Sequence, residues 1–311
     1  MPPPIAATPI PAPPHASRTR IVLAFAAVYV IWGSTYLAIR FAIETIPPAL
    51  MAGTRFVIAG AILYVWARAA GAPRPTRAHW RAAIVVGALL LLAGNGAVVW
   101  AEQTVPSGLA ALLAATTPIW MVLIDWLHHG GERPTRLTTA GLVLGLAGIL
   151  VLVEPGSLGG GAVDAVGALA LLAGSLAWAL GSLYSRHAAM PASPLMATGI
   201  EMLAGGVMLL VAGLASGEWR HFALAAVSMR SALGLAYLIT FGAIIGFTAY
   251  IWLLDVVSPA RVSTYAYVNP VVAVFLGWAF AGEPITARTL IAAAVIIGAV
   301  GMIALGREAG S

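Results

Sequence analysis

Pro48-Ala-Leu-Met-Ala-Gly53-Thr-Arg55 returns 146 residues later as Pro194-Leu-Met-Ala-Thr-Gly199-Ile-Glu201, and the same offset pairs Gly60 with Gly206. Further matches follow in chain order. Gly33-Ser34-Thr35-Tyr36 faces Gly181-Ser182-Leu183-Tyr184, Ala97-Val-Val-Trp100 faces Ala249-Tyr-Ile-Trp252, and Pro118 faces Pro270. Gly131-Glu132 faces Gly282-Glu283. Ordered matches at a nearly constant offset mark an internal repeat, which decides the architecture before any single motif does.

Around these motifs lie apolar runs long enough to cross lipid, which takes roughly 20 residues of helix. They fall at about 21–43, 48–69, 82–101, 106–127, 136–153, 164–185, 194–215, 231–253, 259–280 and 286–305. Barrel strands would instead alternate over about ten residues. Each half holds five runs, an odd number, so the second half must insert upside down. The expected fold is therefore an all-α integral membrane protein with ten transmembrane helices as two inverted five-helix repeats. Many secondary transporters follow that plan, with the site near the midplane between the halves.

Composition supports lipid as the solvent. The 311 residues are 61% hydrophobic and 9% charged, against roughly 45–50% and 25% in soluble domains. Every one of the 16 basic residues is arginine. With the N-terminus inside, eleven arginines fall in cytoplasmic segments and four outside, with Arg55 inside a span, which predicts an inner-membrane protein with both termini cytoplasmic. The excess lies in the first half. This basic charge sets topology, and no nucleic-acid partner is expected. Membrane lipid and a small-molecule substrate are the expected partners, with the chain a monomer or homodimer.

Several chemistries are left without residues to carry them. There is no cysteine, hence no thiolate nucleophile or Cys-based metal site. His15, His79, His128, His129, His187 and His221 fall in the tail, loops or helix ends. No phosphate-binding glycine loop is present. No catalytic residue, metal or cofactor is expected, and an intramembrane enzyme is disfavoured. A sensor or scaffold would call for long loops or a soluble domain, and the loops here are short. Residues 1–20 read as a disordered Pro-rich tail.

The sequence resembles the EamA family of the drug/metabolite transporter superfamily, in its YedA-like branch. The resemblance rests on Ile31-Trp-Gly-Ser-Thr-Tyr-Leu-Ala-Ile-Arg40, Met51-Ala-Gly-Thr-Arg55-Phe, Trp100-Ala-Glu-Gln and Thr116-Thr-Pro118-Ile-Trp. In the second half it rests on Glu201-Met-Leu-Ala-Gly-Gly206, Asn269-Pro270-Val and Gly282-Glu283-Pro. It implies a first repeat over 21–155, a second over 162–306, and an exporter of metabolites or amphipathic compounds. It also implies a central cavity lined by spans 1, 3, 4, 6, 8 and 9. Import or exchange remains the alternative direction.

The candidate substrate-binding residues are the aromatic and small polar ones on those spans: Trp32, Ser34, Thr35, Tyr36, Asn95, Thr116, Trp120, Trp178, Tyr250, Tyr265, Tyr267 and Asn269. Mostly apolar walls with a few polar groups suit an amphipathic small molecule. Trp100, Tyr184 and Trp252 lie near span ends, where aromatic belts form. Arg55 and Glu201 are charges within spans, each about 10 Å into its helix at 1.5 Å per residue. Such charges face a cavity or a partner, so coupling or gating is assigned to Arg55, Glu201, Pro118 and Pro270. Asp125 and Asp255 are further candidates for carrying a proton. Spans 1 and 6 lack the embedded glutamate of the superfamily's small multidrug members. Gly141, Gly145, Gly148, Gly298 and Gly301 are expected to let helices approach closely.

Overall fold

The computed structural model describes residues 17–127, 135–153, 164–257 and 265–308. Among the described residues every regular element is a helix. We label the rods in chain order: α1 Arg18–Ala42, α2 Pro48–Ala69, α3 Arg77–Ala101, α4 in two pieces (Ser107–Ala114 and Thr117–Leu127) and α5 Arg136–Val153. The second half supplies α6 Ala165–Ser185 and α7 Pro194–Ala215. In α8, Met229–Tyr237 runs through a π-helical stretch into Gly246–Val256. The last rods are α9 Tyr265–Ala281 and α10 Ala287–Glu308. Seven helices are long and apolar enough to cross a membrane, and three shorter apolar helices lie in α5, α9 and α10.

Sequence chemistry sets the boundaries. Pro48 and Pro194 open α2 and α7 at the first turn, where a missing N–H costs nothing and φ is already set for a helix. Thr135 and Thr286 cap α5 and α10 in the same way. Each hydroxyl accepts from the amide three residues on, at 3.2 and 3.1 Å, and each pairs with that residue's hydroxyl at 2.9 Å. Large apolar side chains such as Val22, Val65, Leu150, Leu169, Phe280 and Leu305 stand exposed around the bundle, where lipid covers them.

Two seams hold the halves together. In the α2–α7 seam, a Cβ at Gly60 would lie 2.8 Å from the Leu203 amide nitrogen and 3.0 Å from Met202 Cβ. At Gly206 it would lie 2.8 Å from the Val57 nitrogen and 3.0 Å from Phe56 Cβ. Gly53 meets the Leu210 nitrogen at 2.8 Å and Gly199 meets that of Tyr64 at 2.9 Å. Every contact maps onto another when 146 is added to the α2 member and taken from the α7 member, and the helices run antiparallel. In the α5–α10 seam, Gly141, Gly145 and Gly148 meet Ile303, Ala299 and Ile296, again antiparallel. Gly298 and Gly301 do not take part, since nothing lies within 4 Å of a Cβ at either. The face that α10 turns to α5 is Ile296, Ala299, Ile303 and Gly306, so those two glycines sit on another face.

The sequence reading also treats α3 and α8 as plain helices and α4 as one rod kinked near its middle by Pro118, and all three depart from that. Ala88–Asn95 and Leu238–Ile245 are π-helical, each followed by a glycine, and they stand 150 residues apart. In α4 a break at Ala115 and Thr116 precedes the second piece, so Pro118 sits in its first turn rather than kinking a continuous rod.

Candidate functional site

Trp32 of α1 is the centre of the aromatic group. Its Nε1 donates to the Gly242 carbonyl in the π-helical stretch of α8 at 3.2 Å. Its ring lies 5.3, 5.1 and 5.0 Å from those of Phe247, Tyr250 and Tyr265. Tyr250 and Tyr265 are themselves 5.8 Å apart, edge to face. The indole fits because Gly246 has no side chain, since a Cβ there would lie 2.5 Å from Nε1. In the other half Trp178 of α6 packs on Gly94 in the π-helical stretch of α3. A tryptophan thus sits against a glycine of each π-helix, and half-buried Asn95 closes the first of them.

Other expected site residues spend their polar groups on packing. Ser34 bonds the Ile31 carbonyl at 2.8 Å and the Tyr237 hydroxyl at 2.6 Å, and Thr35 bonds the Trp32 carbonyl at 2.6 Å. Thr116 is fully buried, and at the break in α4 the Leu113 carbonyl accepts both its hydroxyl and its backbone amide, the latter at 3.2 Å. Ser175 of α6 donates to the same carbonyl at 3.2 Å, and Thr117 takes that of Ala114 at 2.8 Å. With its amide turned to satisfy both ends, buried Asn269 donates to the carbonyls of Tyr265 (3.1 Å) and Tyr29 (3.2 Å), tying α9 to α1. It precedes Pro270, which lies inside α9. Trp100 and Tyr184 are exposed. The side chains of Tyr267, Asp125 and Asp255 lie outside the described residues.

Two candidates keep an unspent donor. Trp120 Nε1 and Arg55 Nε are buried with no acceptor. Arg55 is 5% exposed, its Cζ 4.7 Å from the Phe56 ring centroid. Its guanidinium also lies against α8, because a Cβ at Gly242 would be 3.2 Å from Nη2 and 3.1 Å from Thr35 Cγ2. The carboxylate in electrostatic range of Arg55 is Glu102, not Glu201. Glu201 is half-buried on α7, where its backbone carbonyl packs on Gly87 of α3.

Glu102 is the residue that sequence reasoning passed over. It belongs to a polar face where the ends of α1, α3, α7 and α9 meet the starts of α8, α6, α2 and α4. There the Glu218 carboxylate accepts from the Ala49 and Leu50 amides at 3.1 and 2.9 Å, and Glu283 from those of Ser107 and Gly108 at 2.7 and 3.0 Å. These anions neutralise helix N-termini, whose first amides have no partner of their own. Asp164 accepts from Thr104 at 2.6 Å and caps α6 through the Val166 amide at 3.1 Å. Those bonds hold its exposed carboxyl below the usual value of 3.8, the Thr104 hydroxyl contributing most. Glu44 pairs with Arg230 at 3.2 Å. Glu102 is 0% exposed and neither of its oxygens has a partner. The tetrapeptide Trp100-Ala-Glu-Gln was the only signal of it in the sequence.

A groove of about 600 Å³ runs along the outer side of α5, lined by Arg136, Thr139, Ala140, Val143, Leu144 and Ala147. It holds none of the candidate residues and is open to lipid. Among the described residues no group of three or more His, Asp or Glu side chains is placed to hold a metal ion.

Apolar helices with a lipid-facing surface and a core interlocked across the two halves define a multi-pass membrane protein. More particularly, the chain belongs to the EamA-like transporter family, whose profile matches it twice, over residues 19–154 and 165–305. It is 42% identical over 282 residues to the "Uncharacterized inner membrane transporter YedA" of Escherichia coli K12, covering 90% of this chain and 89% of that one. It is 27% identical over 288 residues to the "Probable amino-acid metabolite efflux pump" of Salmonella typhimurium, covering 87% and 90%. A solved crystal structure, 23% identical, matches the fold with a TM-score of 0.62 over 95% of this chain and 100% of the other. The protein is a membrane transporter of the inner-membrane type.

Proposed function

We propose that the chain is a secondary exporter of small metabolites or amphipathic compounds, amino-acid-like or drug-like, working by alternating access. Ten spans form two inverted five-helix repeats, 21–155 and 162–306, behind the Pro-rich tail 1–20. Both termini are cytoplasmic and the acidic polar face is outside. The observation that carries the reading is the pair of buried, unspent donors, Trp120 Nε1 and Arg55 Nε, in a bundle whose aromatic group brings Trp32, Tyr250 and Tyr265 together. Mostly apolar surroundings with a few aimed polar groups orient an amphipathic ligand, and a buried donor with no partner is costly unless something satisfies it. An acceptor-bearing substrate such as a carboxylate does so.

The inverted plan is supported by the α2–α7 contacts, which return under the 146-residue offset, and by the matching π-helices of α3 and α8. Export is supported by the name of the Salmonella relative. Arg55, Glu201, Pro118 and Pro270 serve coupling or gating. The test is flux in proteoliposomes of labelled L-amino acids and labelled tetraphenylphosphonium, with right-side-out and inside-out populations separated. Efflux in the cytoplasm-to-outside sense for one class is expected. Faster movement in the opposite sense would make the protein an importer, and flux that needs substrate on both sides would make it an exchanger.

A further inference from the structure

Six of the rods group into two three-helix bodies, each joining one helix of one half to two of the other. Trp32, Gly33 and Tyr29 of α1 meet Gly242 of α8 and Val272 and Asn269 of α9. Gly174, Ser175 and Trp178 of α6 meet Gly94 of α3 and Leu113 of α4. At the polar face the two bodies are tied together. Arg40, in the last turn of α1, donates from Nη1 to the Glu102 carbonyl at 2.5 Å and to that of Gln103 at 3.4 Å, just past α3. Glu283, after α9, holds the first amides of α4. Gly108 of α4 lies against α9, where a Cβ would be 3.0 Å from Val274 Cα.

The repeat supplies a second arginine for the other end. Arg186 stands 146 residues after Arg40, as Trp178 does after Trp32. Each arginine precedes by eight residues the proline that opens the next helix, Pro48 or Pro194. Because α6 starts at the polar face, Arg186, its C-cap, lies at the opposite end. The residues matching Glu102 and Gln103 are Leu254 and Asp255, two and three positions after Trp252 as those are after Trp100. They fall in the last turn of α8, whose final carbonyls lack amides of their own and favour a cation. Arg186 is in electrostatic range of Tyr250, one turn before Leu254. Its side chain is nonetheless exposed, where that of Arg40 is half-buried, and among the described residues it bonds none of those carbonyls. The matched arginines are thus in unlike settings, one spent on the facing helix end and the other in reach of it.

We propose that Arg40 and Arg186 are paired latches of the transport cycle. Arg40 shuts the polar face here; when that face opens it lets go of α3, and Arg186 takes the Leu254 and Asp255 carbonyls to shut the opposite end. Rocking of one bundle against another about a fixed site is how inverted repeats alternate. The exchange swaps one set of charge-assisted bonds for another of the same kind, so the latches bias neither state strongly. The inference rests on the alternating-access reading and names contacts that tell its two states apart.

The chain has no cysteine, so spin labels can be placed by single substitutions in the full-length protein reconstituted in lipid. One pair spans the polar face, Gln103→Cys after α3 with Ala232→Cys on α8. The other spans the opposite end, Ala78→Cys on α3 with Thr19→Cys on α1. All four positions are exposed. Pulsed electron–electron resonance reads both separations. Arg40→Met removes the donors and should raise the ratio of open to closed polar faces by about tenfold or more, the worth of one bond from a charged donor, while the opposite-end pair draws together. Arg186→Met should move both pairs in the reverse sense, and the double variant should return to the wild-type ratio. Arg40→Lys, which keeps a charged donor, should stay close to wild type. Unchanged distances in both single variants, or a shift of the same sense in both, overturn the inference. Should Arg40→Met fail to stay monodisperse, Arg186→Met decides, and no swing toward the closed polar face overturns it. Flux of labelled L-amino acids and tetraphenylphosphonium through unlabelled protein separates the two readings. Flux in wild type with distances that do not swing strikes the latches and leaves transport standing. Distances that swing as expected without flux of any probe uphold the latches and count against the transport reading.

Discussion

Substituting Gly60 by alanine puts a Cβ 2.8 Å from the Gly199 carbonyl oxygen and 2.8 Å from the Leu203 nitrogen. Both are backbone atoms of a regular helix, so neither can rotate away as a side-chain tip would. Restoring ordinary contact moves α7 away from α2 by about half an ångström, and a gap of about 0.5–1 Å forfeits a quarter to a half of the attraction between the atoms concerned. The seam is the most extensive helix contact in the described structure, and overpacking of this kind costs about 1–3 kcal/mol. At about 2 kcal/mol the unfolding midpoint should fall by roughly 4–8 °C. Because Gly206 meets Val57 and Phe56 at the distances at which Gly60 meets Leu203 and Met202, Gly206→Ala should lose the same amount. The double variant should lose less than twice as much, since the first substitution has already parted the helices. Gly298→Ala meets nothing within 4 Å and should be neutral or gain up to about 1 kcal/mol in helix propensity. The assay is the temperature at which half of the detergent-solubilised protein remains monodisperse after heating. Equal midpoints for wild type and Gly60→Ala, or a loss at Gly60 without one at Gly206, would refute both the backbone-contact argument and the two-fold relation drawn from it.

Other expectations are simpler to state. Glu283→Gln exchanges a charged cap of α4 for a neutral one and should destabilise by about 1–2 kcal/mol, with Glu218→Gln matching it at α2, both read by the same heating assay. Asp164 has a folded value below 3.8, so its capping contribution is present above the unfolded value and is lost only as pH falls through the lower folded one. Hydrogen exchange of the Val166 amide should therefore stay slow in wild type at pH values where an unperturbed aspartate is half protonated and quicken only below them, a pH dependence that Asp164→Asn, which has no carboxyl to titrate, should lack. Trp120→Phe keeps an aromatic side chain but removes the free N–H and part of the indole's bulk; transport should drop while the protein still inserts and stays monodisperse, and unchanged flux would remove Trp120 from the site. Asn269→Ala deletes two bonds to carbonyls of α1 and α9 and should cost about 1–3 kcal/mol, impairing transport without preventing insertion. Glu201→Gln should impair transport with no loss of stability, and full activity in both variants would reject their assignment to the site.

The sequence made the helices, their proline starts and the correspondence of α2 with α7 legible because each is written in local chemistry or repeated at a fixed distance, but not that those two helices pack on each other. The second tryptophan contact was half legible. Trp32 and Trp178 could be seen as candidates, but their seats on Gly242, Gly246 and Gly94 depend on which face the π-helices turn. Nothing in Ala88-Leu-Leu-Leu-Leu-Ala-Gly-Asn95 or Leu238-Ile-Thr-Phe-Gly-Ala-Ile-Ile245 distinguishes a π-turn from an α-turn. A π-helix differs only in which carbonyl each amide reaches, and packing against α6 or α1 settles that choice. The fate of hydroxyls was likewise hidden. Thr116 looks like a ligand group until the break in α4 turns its hydroxyl onto the Leu113 carbonyl three residues back.

Glu102 was hidden for the opposite reason. A glutamate one residue past an apolar run reads as a solvated helix end, and Glu44, Glu218 and Glu283 stand in similar positions. What separates them is the supply of donors. Glu218 and Glu283 meet helix starts that expose free amides, whereas Glu102 follows a helix end, where free carbonyls rather than free amides face it. Arg40 answers one of those carbonyls and leaves the carboxyl enclosed. The same residue type at the same kind of boundary is therefore a cap in two places and an unpartnered acid in the third. That difference follows from which helix terminus the bundle brings against it.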